Sequence, residues 1–590
     1  MLKNNMIEEI RIYYESLEQG AHYIQPLIEK ALKDSGKNIR IKLIKLKGNY
    51  SYYSQKIAPI IFWKDPDILI TVLFKNVEYP LLLIEFSTAV FTEDHELQRF
   101  DGLRAAADCN CIYIKISPTT KQSQNQHGGN INFNHINSFA LIYKKLGKIF
   151  FHFDWKCSEN GIVEVDDTFL SCPKNIPGFN RFIDMMTVFI TKYHFNGETW
   201  INDFEKYFSG DVLLREWKNK IINCKLPSIK DLRSSRTEWN QDTKEFTLKL
   251  NRFGHSMDPE RGMLAYYGLL FERTVSKMIF DQNQNAWYKD IPKESEINKY
   301  LRKNDIRTGY DLLYCFMLGS GLYNNKDFVE IVRKYRKVNE IILNIDLTKF
   351  LNDNYHILNK AMRTIFYNSM YFVINDKYNR VRLVFRWQKF NNIMDYLPFP
   401  NVTEIKERDS FDEDDVTYIS VHNILKINNY KIIAVSYPGA QGDRVVLVAP
   451  GTGRRQKRKY IDIIASLPEK CTNLQENKGK YTRSQIQKDI DELKKYKQEG
   501  SYKKAVNIYI DRFDINAPKI IKIGIGFWAN TKYTVDKIKD LDLTSIDYFV
   551  YLSTDRKEWY IWSTGEVEMF KKTKGSINIP ITYEVKKTNN

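Results

Sequence analysis

Twice in this chain an acidic residue belongs to an apolar run, at its opening in the first case and embedded within the strand in the second, and a second acid follows on the next strand. The first segment is Lys64-Asp65-Pro66-Asp67 leading into Ile68–Leu73, followed by Leu81-Leu82-Leu83-Ile84 and then Glu85-Phe86-Ser87. The second is Tyr460-Ile461-Asp462-Ile463-Ile464-Ala465, followed after a short Pro-bearing turn by Asn473-Leu474-Gln475-Glu476-Asn477-Lys478. Short apolar runs of this kind suit strands covered on both faces. An ionised carboxylate at the end of such a strand is costly unless it is paired or holds a cation. Neighbouring strands would gather each acid pair at one end of a sheet.

The chain divides into three textures. Residues 1–195 open with Ile7, Ile10, Tyr14 and Leu17 at helical spacing, and Ile39–Leu46 alternates apolar and basic residues as an exposed strand does. Apolar runs follow at Ile68–Leu73, Leu81–Phe86 and Cys111–Ile116, with a helical pattern over Asp94–Ala107. Strand, strand, helix, strand predicts an α/β core. Residues 196–400 are expected to be mainly helical, with helical spacing over Phe328–Leu343 and Tyr355–Val373. Residues 401–590 return to α/β: an acidic loop at Asp409–Asp415, then apolar runs at Ile432–Ser436, Val445–Ala449, Tyr460–Ala465, Ile520–Trp528 and Tyr548–Leu552. Ile486, Ile490 and Leu493 place a helix among them. The expected fold class is multidomain α/β (α+β, mixed-sheet), with one core at each end and a mainly helical middle.

Carboxylate pairs of this kind suit Mg²⁺, a hard cation that prefers oxygen ligands and keeps several waters. Such an ion polarises a phosphoryl oxygen and lowers the pKa of an attacking water. In a strand, Glu476 and Lys478 face the same way, because the side-chain period is two. The lysine would then stand beside the metal and the water. Gln98 and Gln485, on the helices that follow the two acid pairs, would support them. The plain alternative is that the acids flank strands or form surface Glu–Lys pairs.

The net charge of +17 and pI of about 9.1 favour a polyanionic partner, nucleic acid first. A Lys-rich composition raises the pI by itself, so the charge is supporting rather than decisive. The seven cysteines include no Cys-x-x-Cys pair, which speaks against a zinc knuckle and for a reducing, cytoplasmic compartment. Met1–Ile10 has no signal-peptide core, and Met263–Phe280 is broken by Glu272, Arg273 and Lys277, so no membrane segment is expected. The basic run Arg454-Arg455-Gln456-Lys457-Arg458-Lys459 precedes the second acid strand and is expected to contact DNA phosphates. Gly451-Thr452-Gly453 lacks the spacing of a phosphate-binding loop. His255 with Asp258, and His95 among its acidic neighbours, read as a turn and a solvated helix start.

Both acid constellations resemble the PD-(D/E)XK nuclease superfamily. Asp462, Glu476 and Lys478 match its two acids and lysine, with Ile461 where the family has proline; Pro66-Asp67 and Glu85 match the acids of the first set. Three longer stretches resemble segments of bacterial type II restriction endonucleases: Glu85–Val90 into Glu96–Arg99, Gly254–Gly262, and Gln441–Arg444 leading to Lys457–Asp462. The resemblance implies two nuclease domains, at 1–195 and 401–590, and a DNA-recognition or clasp region between them. It also implies Mg²⁺ on Asp67, Glu85, Asp462 and Glu476, and 5′-phosphate product ends. The first set departs from the pattern at Ser87, where the lysine would stand; Arg99, Arg104 or Lys115 would have to substitute.

The expected activity is sequence-specific cleavage of double-stranded DNA by a type II restriction enzyme, one strand per domain, acting as a monomer or homodimer. A separate DNA methyltransferase would protect the host. Three alternatives stay open: one working core with the other used for recognition, a non-catalytic DNA-binding protein, and a repair or antiviral nuclease acting on ends or RNA.

Overall fold

The computed structural model describes residues 7–46, 50–87, 93–119, 135–157, 163–166, 171–193, 195–227, 237–250, 257–270, 275–281, 293–303, 309–322, 340–347, 349–350, 360–375, 382–388, 404–407, 411–436, 446–449, 457–513, 516–529, 546–553, 555–563, 569–577 and 583–586. Arg454 and Arg455 lie outside them, as does His255.

The amino-terminal module consists of β1 (Glu9–Tyr14), α1 (Gln25–Asp34), β2 (Arg40–Lys45), α2 (Ala58–Trp63), β3 (Ile68–Phe74), β4 (Val77–Phe86), α3 (Glu93–Gln98), α4 (Phe100–Asp108), β5 (Ile112–Ser117), α5 (His135–Leu146), β6 (Phe151–Asp154), α6 (Pro177–Lys192), α7 (Trp200–Tyr207) and α8 (Val212–Asn223). Its sheet runs β2-β1-β3-β4-β5-β6. β1, β3 and β4 are antiparallel neighbours, whereas β4, β5 and β6 run parallel. The antiparallel β3 and β4 are joined by a two-residue turn, Lys75-Asn76, with φ of 52° and 60°, whose twist matches that of paired strands. The parallel step from β4 to β5 needs a crossover, which α3 and α4 supply. Helices α7 and α8 pack on the same module: Trp200 Nε1 donates to the Asn110 carbonyl at 3.1 Å, and Trp217 Nε1 donates to that of Phe150.

The helix expected from Ile7, Ile10, Tyr14 and Leu17 is instead β1. All six residues of β1 are buried, because β2 and β3 flank it and both of its faces are covered. Continuous burial erases the alternation by which a strand is recognised. A π-helical segment, Glu18–Ile24, follows and runs directly into α1.

The middle module holds β7 (Thr237–Asn240), β8 (Glu245–Leu250), α9 (Met257–Leu270), β9 (Val275–Asp281), α10 (Glu294–Lys303), α11 (Gly309–Ser320), β10 (Glu340–Asn344), α12 (Lys360–Asn368), β11 (Tyr371–Asn375) and β12 (Arg382–Arg386). Helical residues outnumber strand residues among the described part of this region, and the helices are organised by a six-stranded mixed sheet, β10-β12-β11-β9-β8-β7, which the expectation did not include. Phe328–Leu343 ends in β10, and Tyr355–Val373 divides into α12 and β11; residues 328–339 and 355–359 lie outside the described ones. Strands of four to seven residues offer too few positions for a period to stand out in the sequence. Phe316 of α11 ties the layers together, with Phe366, Phe372, Phe385 and Trp387 at ring distances of 4.5–5.6 Å.

The carboxy-terminal module comprises β13 (Glu404–Glu407), α13 (Glu413–Ile419), β14 (Lys431–Val435), β15 (Val446–Ala449), β16 (Lys457–Tyr460), β17 (Ile463–Leu467), β18 (Cys471–Lys478), α14 (Arg483–Lys497), α15 (Ser501–Phe513), β19 (Ile521–Ala529), β20 (Tyr548–Ser553), β21 (Glu558–Ser563), β22 (Lys574–Ser576) and β23 (Tyr583–Lys586). The sheet runs β14-β17-β18-β19-β20-β21-β22. The acidic segment expected as a loop is the start of α13: Asp412 and Asp415 exchange backbone-to-side-chain hydrogen bonds of 3.0 Å, a capping box. Three acids in the first helical turn complement the helix dipole.

The two end modules share a five-strand pattern. In β1-β3-β4-β5-β6 and in β14-β17-β18-β19-β20 the successive pairings are antiparallel, antiparallel, parallel, parallel. A helical crossover joins β4 to β5 and, through α14 and α15, β18 to β19. The additions fall at opposite edges, β2 beyond β1 and β21-β22 beyond β20.

The two modules meet along matching π-helical segments, Glu18–Ile24 and Ser420–Leu425. His22 stacks on Tyr418 at 4.9 Å, His422 Nε2 lies 3.1 Å from Glu18 Oε1, and Lys45 Nζ lies 2.6 Å from Asp414 Oδ2. The middle module closes on α2 and α3. Trp63 and Tyr367 meet edge-on at 4.8 Å, Arg363 donates to the Phe62 carbonyl, and α9 crosses α3 at Gly262, where a Cβ would overlap the Leu97 backbone. Among the described residues no helix is long and apolar enough to cross a membrane.

Candidate active sites

In the amino-terminal module, Asp67 immediately precedes β3 and Glu85 is next to last in β4. Ile68 pairs with Ile84, so the two acids emerge side by side at one end of the sheet. Asp67 Oδ2 accepts a 2.6 Å hydrogen bond from the Phe86 backbone N–H, which holds it beside Glu85. Glu85 is 6% exposed. Its Oε1 accepts from Lys64 Nζ at 3.0 Å and from Arg99 Nε at 3.3 Å, while its buried Oε2 has no hydrogen-bond partner. A buried, unpartnered carboxylate oxygen is costly on its own and is what a cation ligand looks like before the cation binds.

Of the residues considered as substitutes for a lysine at Ser87, Arg99 reaches the site. It sits at the break between α3 and α4, and its guanidinium also donates to Ser87 Oγ at 3.3 Å. Lys115 pairs in register with Glu85 on β5, but its ammonium turns to Glu96 of α3. Arg104 is held by Asp108 at 2.9 Å and by Tyr367. Gln98 closes α3 just before Arg99, partly buried. Sequence reasoning missed two residues here. Lys64 caps α2 and touches Glu85. Glu15, just past β1, donates its backbone N–H to the Asp67 carbonyl at 2.8 Å.

The electrostatics follow from crowding acids in a dry place. Burial, then the neighbouring Glu85, pushes Asp67 from 3.8 up to about 7. Burial and the nearby Asp67 carry Glu15 from 4.5 to about 8. Glu85 goes the other way: burial would raise it, but Lys64 and Arg99 outweigh burial and hold it below its ordinary value. A carboxyl group raised in the folded state stabilises the fold at low pH, and that contribution is lost as pH rises through the folded value. With divalent ions chelated, the melting temperature is therefore expected to fall from about pH 4 to about pH 8, and Glu15→Gln to flatten the upper part of that fall. Melts in EDTA across this range check it; a flat or rising wild-type profile would contradict the proton assignment.

The carboxy-terminal module repeats the device. Ile463 pairs with Gln475, which sets Asp462, just before β17, beside Glu476 of β18. Asp462 therefore precedes its strand rather than lying within it. Asp462 Oδ2 accepts a 2.6 Å hydrogen bond from the Asn477 N–H, the counterpart of the bond from Phe86 to Asp67. Burial and then Glu476 raise Asp462 well above the carboxylate range. Lys478 Nζ lies 3.1 Å from Glu413 Oε1 and 3.3 Å from Asp489 Oδ2. Burial would discharge this lysine, but the surrounding acids keep it charged.

The alternate residues of β18 hold the strand down. Gln475 Nε2 donates to Ser420 Oγ and Asn477 Oδ1, each at 2.8 Å, and Asn477 Nδ2 donates to Thr417 Oγ1 at 3.0 Å. Gly526 of β19 lies under this network, where a Cβ would overlap Asn477 Oδ1. Gln485 lies exposed in the first turn of α14; Asp489, one turn on, is the helix residue that reaches Lys478. Lys457 and Arg458 fall in β16, the strand that leads to Asp462.

Among the described residues no group of three or more His, Cys, Asp and Glu side chains is gathered to hold a metal ion; the acids come as pairs. A pair is enough for Mg²⁺, which takes one or two carboxylates and completes its shell with water and substrate oxygens. Compared with protein-family models, curated proteins and solved structures, the chain has no match.

Proposed function

We propose that this protein is an Mg²⁺-dependent endodeoxyribonuclease of the PD-(D/E)XK, type II restriction kind, which cuts double-stranded DNA with one strand assigned to each end module. The observation that carries the reading is the repetition of one device on one strand order. In both modules an acid before a strand and an acid late in the next are joined by a 2.6 Å bond from the backbone N–H that follows the second acid. Coincidental acids at strand ends do not explain the same bond at the same place in two sheets.

Asp67 with Glu85, and Asp462 with Glu476, would each hold one Mg²⁺. When bound, the ion supplies Lewis-acid polarisation of the phosphate and a more acidic water. The residues of the chain do the rest. The buried acid pair fixes where the scissile phosphate docks, and Lys478 offers a cation to the negative charge that grows on the phosphate oxygens. A water oxygen attacks phosphorus, the P–O3′ bond breaks, and the leaving oxygen takes a proton, giving 5′-phosphate and 3′-hydroxyl ends. The net charge of +17 supports a polyanionic substrate. A protective methyltransferase would be a separate protein, and the working unit a monomer or homodimer.

One observation favours a second reading, in which only the carboxy-terminal site cuts. Ser87 stands where Lys478 stands in the other site, and Glu85 is already engaged by two cations. On that reading the product is a nick or a dimer-dependent cut.

The test is closed circular plasmid with purified protein and Mg²⁺. Discrete linear products are expected, abolished by EDTA and restored by added Mg²⁺. Intact plasmid across a broad set of methylated and unmethylated DNAs, or cleavage that persists in EDTA, would sink the reading.

A further inference from the structure

We propose that Lys64 is the catalytic lysine of the amino-terminal site, supplying from the residue before the Asp65-Pro66-Asp67 turn the cation that Ser87 cannot. The assignment rests on the nuclease reading above and adds to it a residue that neither the motif nor its spacing singles out.

Two cations contact Glu85, Lys64 and Arg99, and of these Lys64 is the one placed to serve. Arg99 is fixed at the break between α3 and α4 and divides its guanidinium between Glu85 and Ser87. Lys115 is buried against Glu96, and Arg104 is held by Asp108. Lys64 Nζ lies 3.0 Å from Glu85 Oε1, on a side chain 20% exposed, the same exposure as Lys478 in the other site. Arg99 is equally exposed, but its guanidinium is shared with Ser87, whereas the Lys64 ammonium is placed on Glu85 at the end of a flexible stem.

The chain has built a path for this side chain. Lys64 ends α2 with extended backbone, φ −140° and ψ 134°, its N–H donating to the Ile60 carbonyl at 2.8 Å. Its stem then crosses α4 at Gly102, where a Cβ would sit 3.1 Å from Lys64 Cγ and 3.3 Å from Cδ. Glycine is a poor helix former, so its place inside α4 needs a reason, and the passage of the lysine stem is one. Two elements, α2 and α4, thus deliver Nζ to Glu85 from outside the strand. In the other site β18 carries its own lysine at Lys478.

The role is to orient the attacking water or to meet the charge growing on the phosphate, as Lys478 does in the second site. Lys64→Met is expected to slow cutting of the strand assigned to this site by about 10²–10³-fold, leaving nicked circles, while Lys64→Arg keeps part of the rate. Adding Ser87→Lys to Lys64→Met places a lysine as in the second site and is expected to restore linear product, which a merely structural lysine would not allow.

A second readout does not depend on cleavage. In a Glu476→Ala background, Mn²⁺ titration is expected to show Lys64→Met binding as tightly as Lys64 or more so, since a competing cation is gone, and Glu85→Ala binding poorly. Wild-type rates in Lys64→Met overturn the assignment, and so does loss of Mn²⁺ binding together with cleavage, which would make Lys64 a prop for the acids. If the unmutated chain cuts no DNA, the nuclease reading fails and takes the assignment with it, and this is visible before any variant is compared.

Discussion

Glu85→Ala and Glu476→Ala are each expected to turn a double-strand cut into a nick, with the two variants nicking opposite strands. Each removes a carboxylate that is 5–6% exposed and sits beside a second acid. Loss of the oxygen that would hold the cation removes the main stabilisation of the phosphoryl transition state in that module, a loss of about 10²–10³-fold or more. The sites stand on separate sheets, so the other strand should be cut at its normal rate. The double variant should leave closed circles intact while still binding DNA. Strand-labelled substrate and gel separation of closed, nicked and linear forms read all three. If Glu85→Ala still linearises plasmid at the wild-type rate, the amino-terminal pair is not a cutting site, and the one-core reading takes over. If Glu476→Ala abolishes both cuts, the modules do not act independently.

The second large effect concerns the ion pair beneath the first site. Lys115 and Glu96 have side chains 1% and 2% exposed and face each other between β5 and α3. Burial pulls the Lys115 ammonium down, and Glu96 only partly restores it. Removing one member of such a pair strands a charge in a dry environment. Lys115→Ala is therefore expected to destabilise the fold by about 3–5 kcal/mol, and the double variant Lys115→Met with Glu96→Leu to recover most of that. Urea unfolding monitored by tryptophan fluorescence measures both. A single variant within about 1 kcal/mol of wild type would mean the pair is not held as opposite charges. The double variant has a further use. If Lys115 were the missing lysine of the site, the refolded core would still fail to cut its strand; if the pair is structural, cutting returns with stability.

The two acid pairs were legible in the sequence because each is a local event. An acid beside an apolar run, then another acid at the end of the next run, needs only a hairpin to become a pair, and both hairpins formed. Lys478 was legible for the same reason, two residues along one strand. The strands at Ile68, Leu81, Ile432, Ile520 and Tyr548 were marked by their apolar runs, and α14 by the spacing of Ile486, Ile490 and Leu493.

Other members of the sites depend on contacts between distant parts of the chain. Glu15 reaches Asp67 because β1 pairs with β3 across more than fifty residues, and the run that holds it carried a helical spacing. Glu413 reaches Lys478 because what looked like an acidic loop is a capped helix packed on β18. Asp489 rather than Gln485 faces that lysine, a difference of one helical turn set by how α14 lies on the sheet. The sheet of the middle module was hidden because strands of four to seven residues offer too few positions to show a period.

The sequence by itself determined the chemistry on offer: two pairs of carboxylates at the ends of apolar strands, one lysine in phase with its acid, and a basic chain around them. Which cations meet those acids was decided by the tertiary structure alone. Arg99, Arg104 and Lys115 were equivalent on paper, yet only Arg99 of the three meets Glu85: α3 gives Lys115 to Glu96, α4 gives Arg104 to Asp108, and the gap at Gly102 brings in Lys64, which was not among them. A long flexible side chain ends wherever packing leaves room and a buried opposite charge, and neither can be read from its neighbours in sequence.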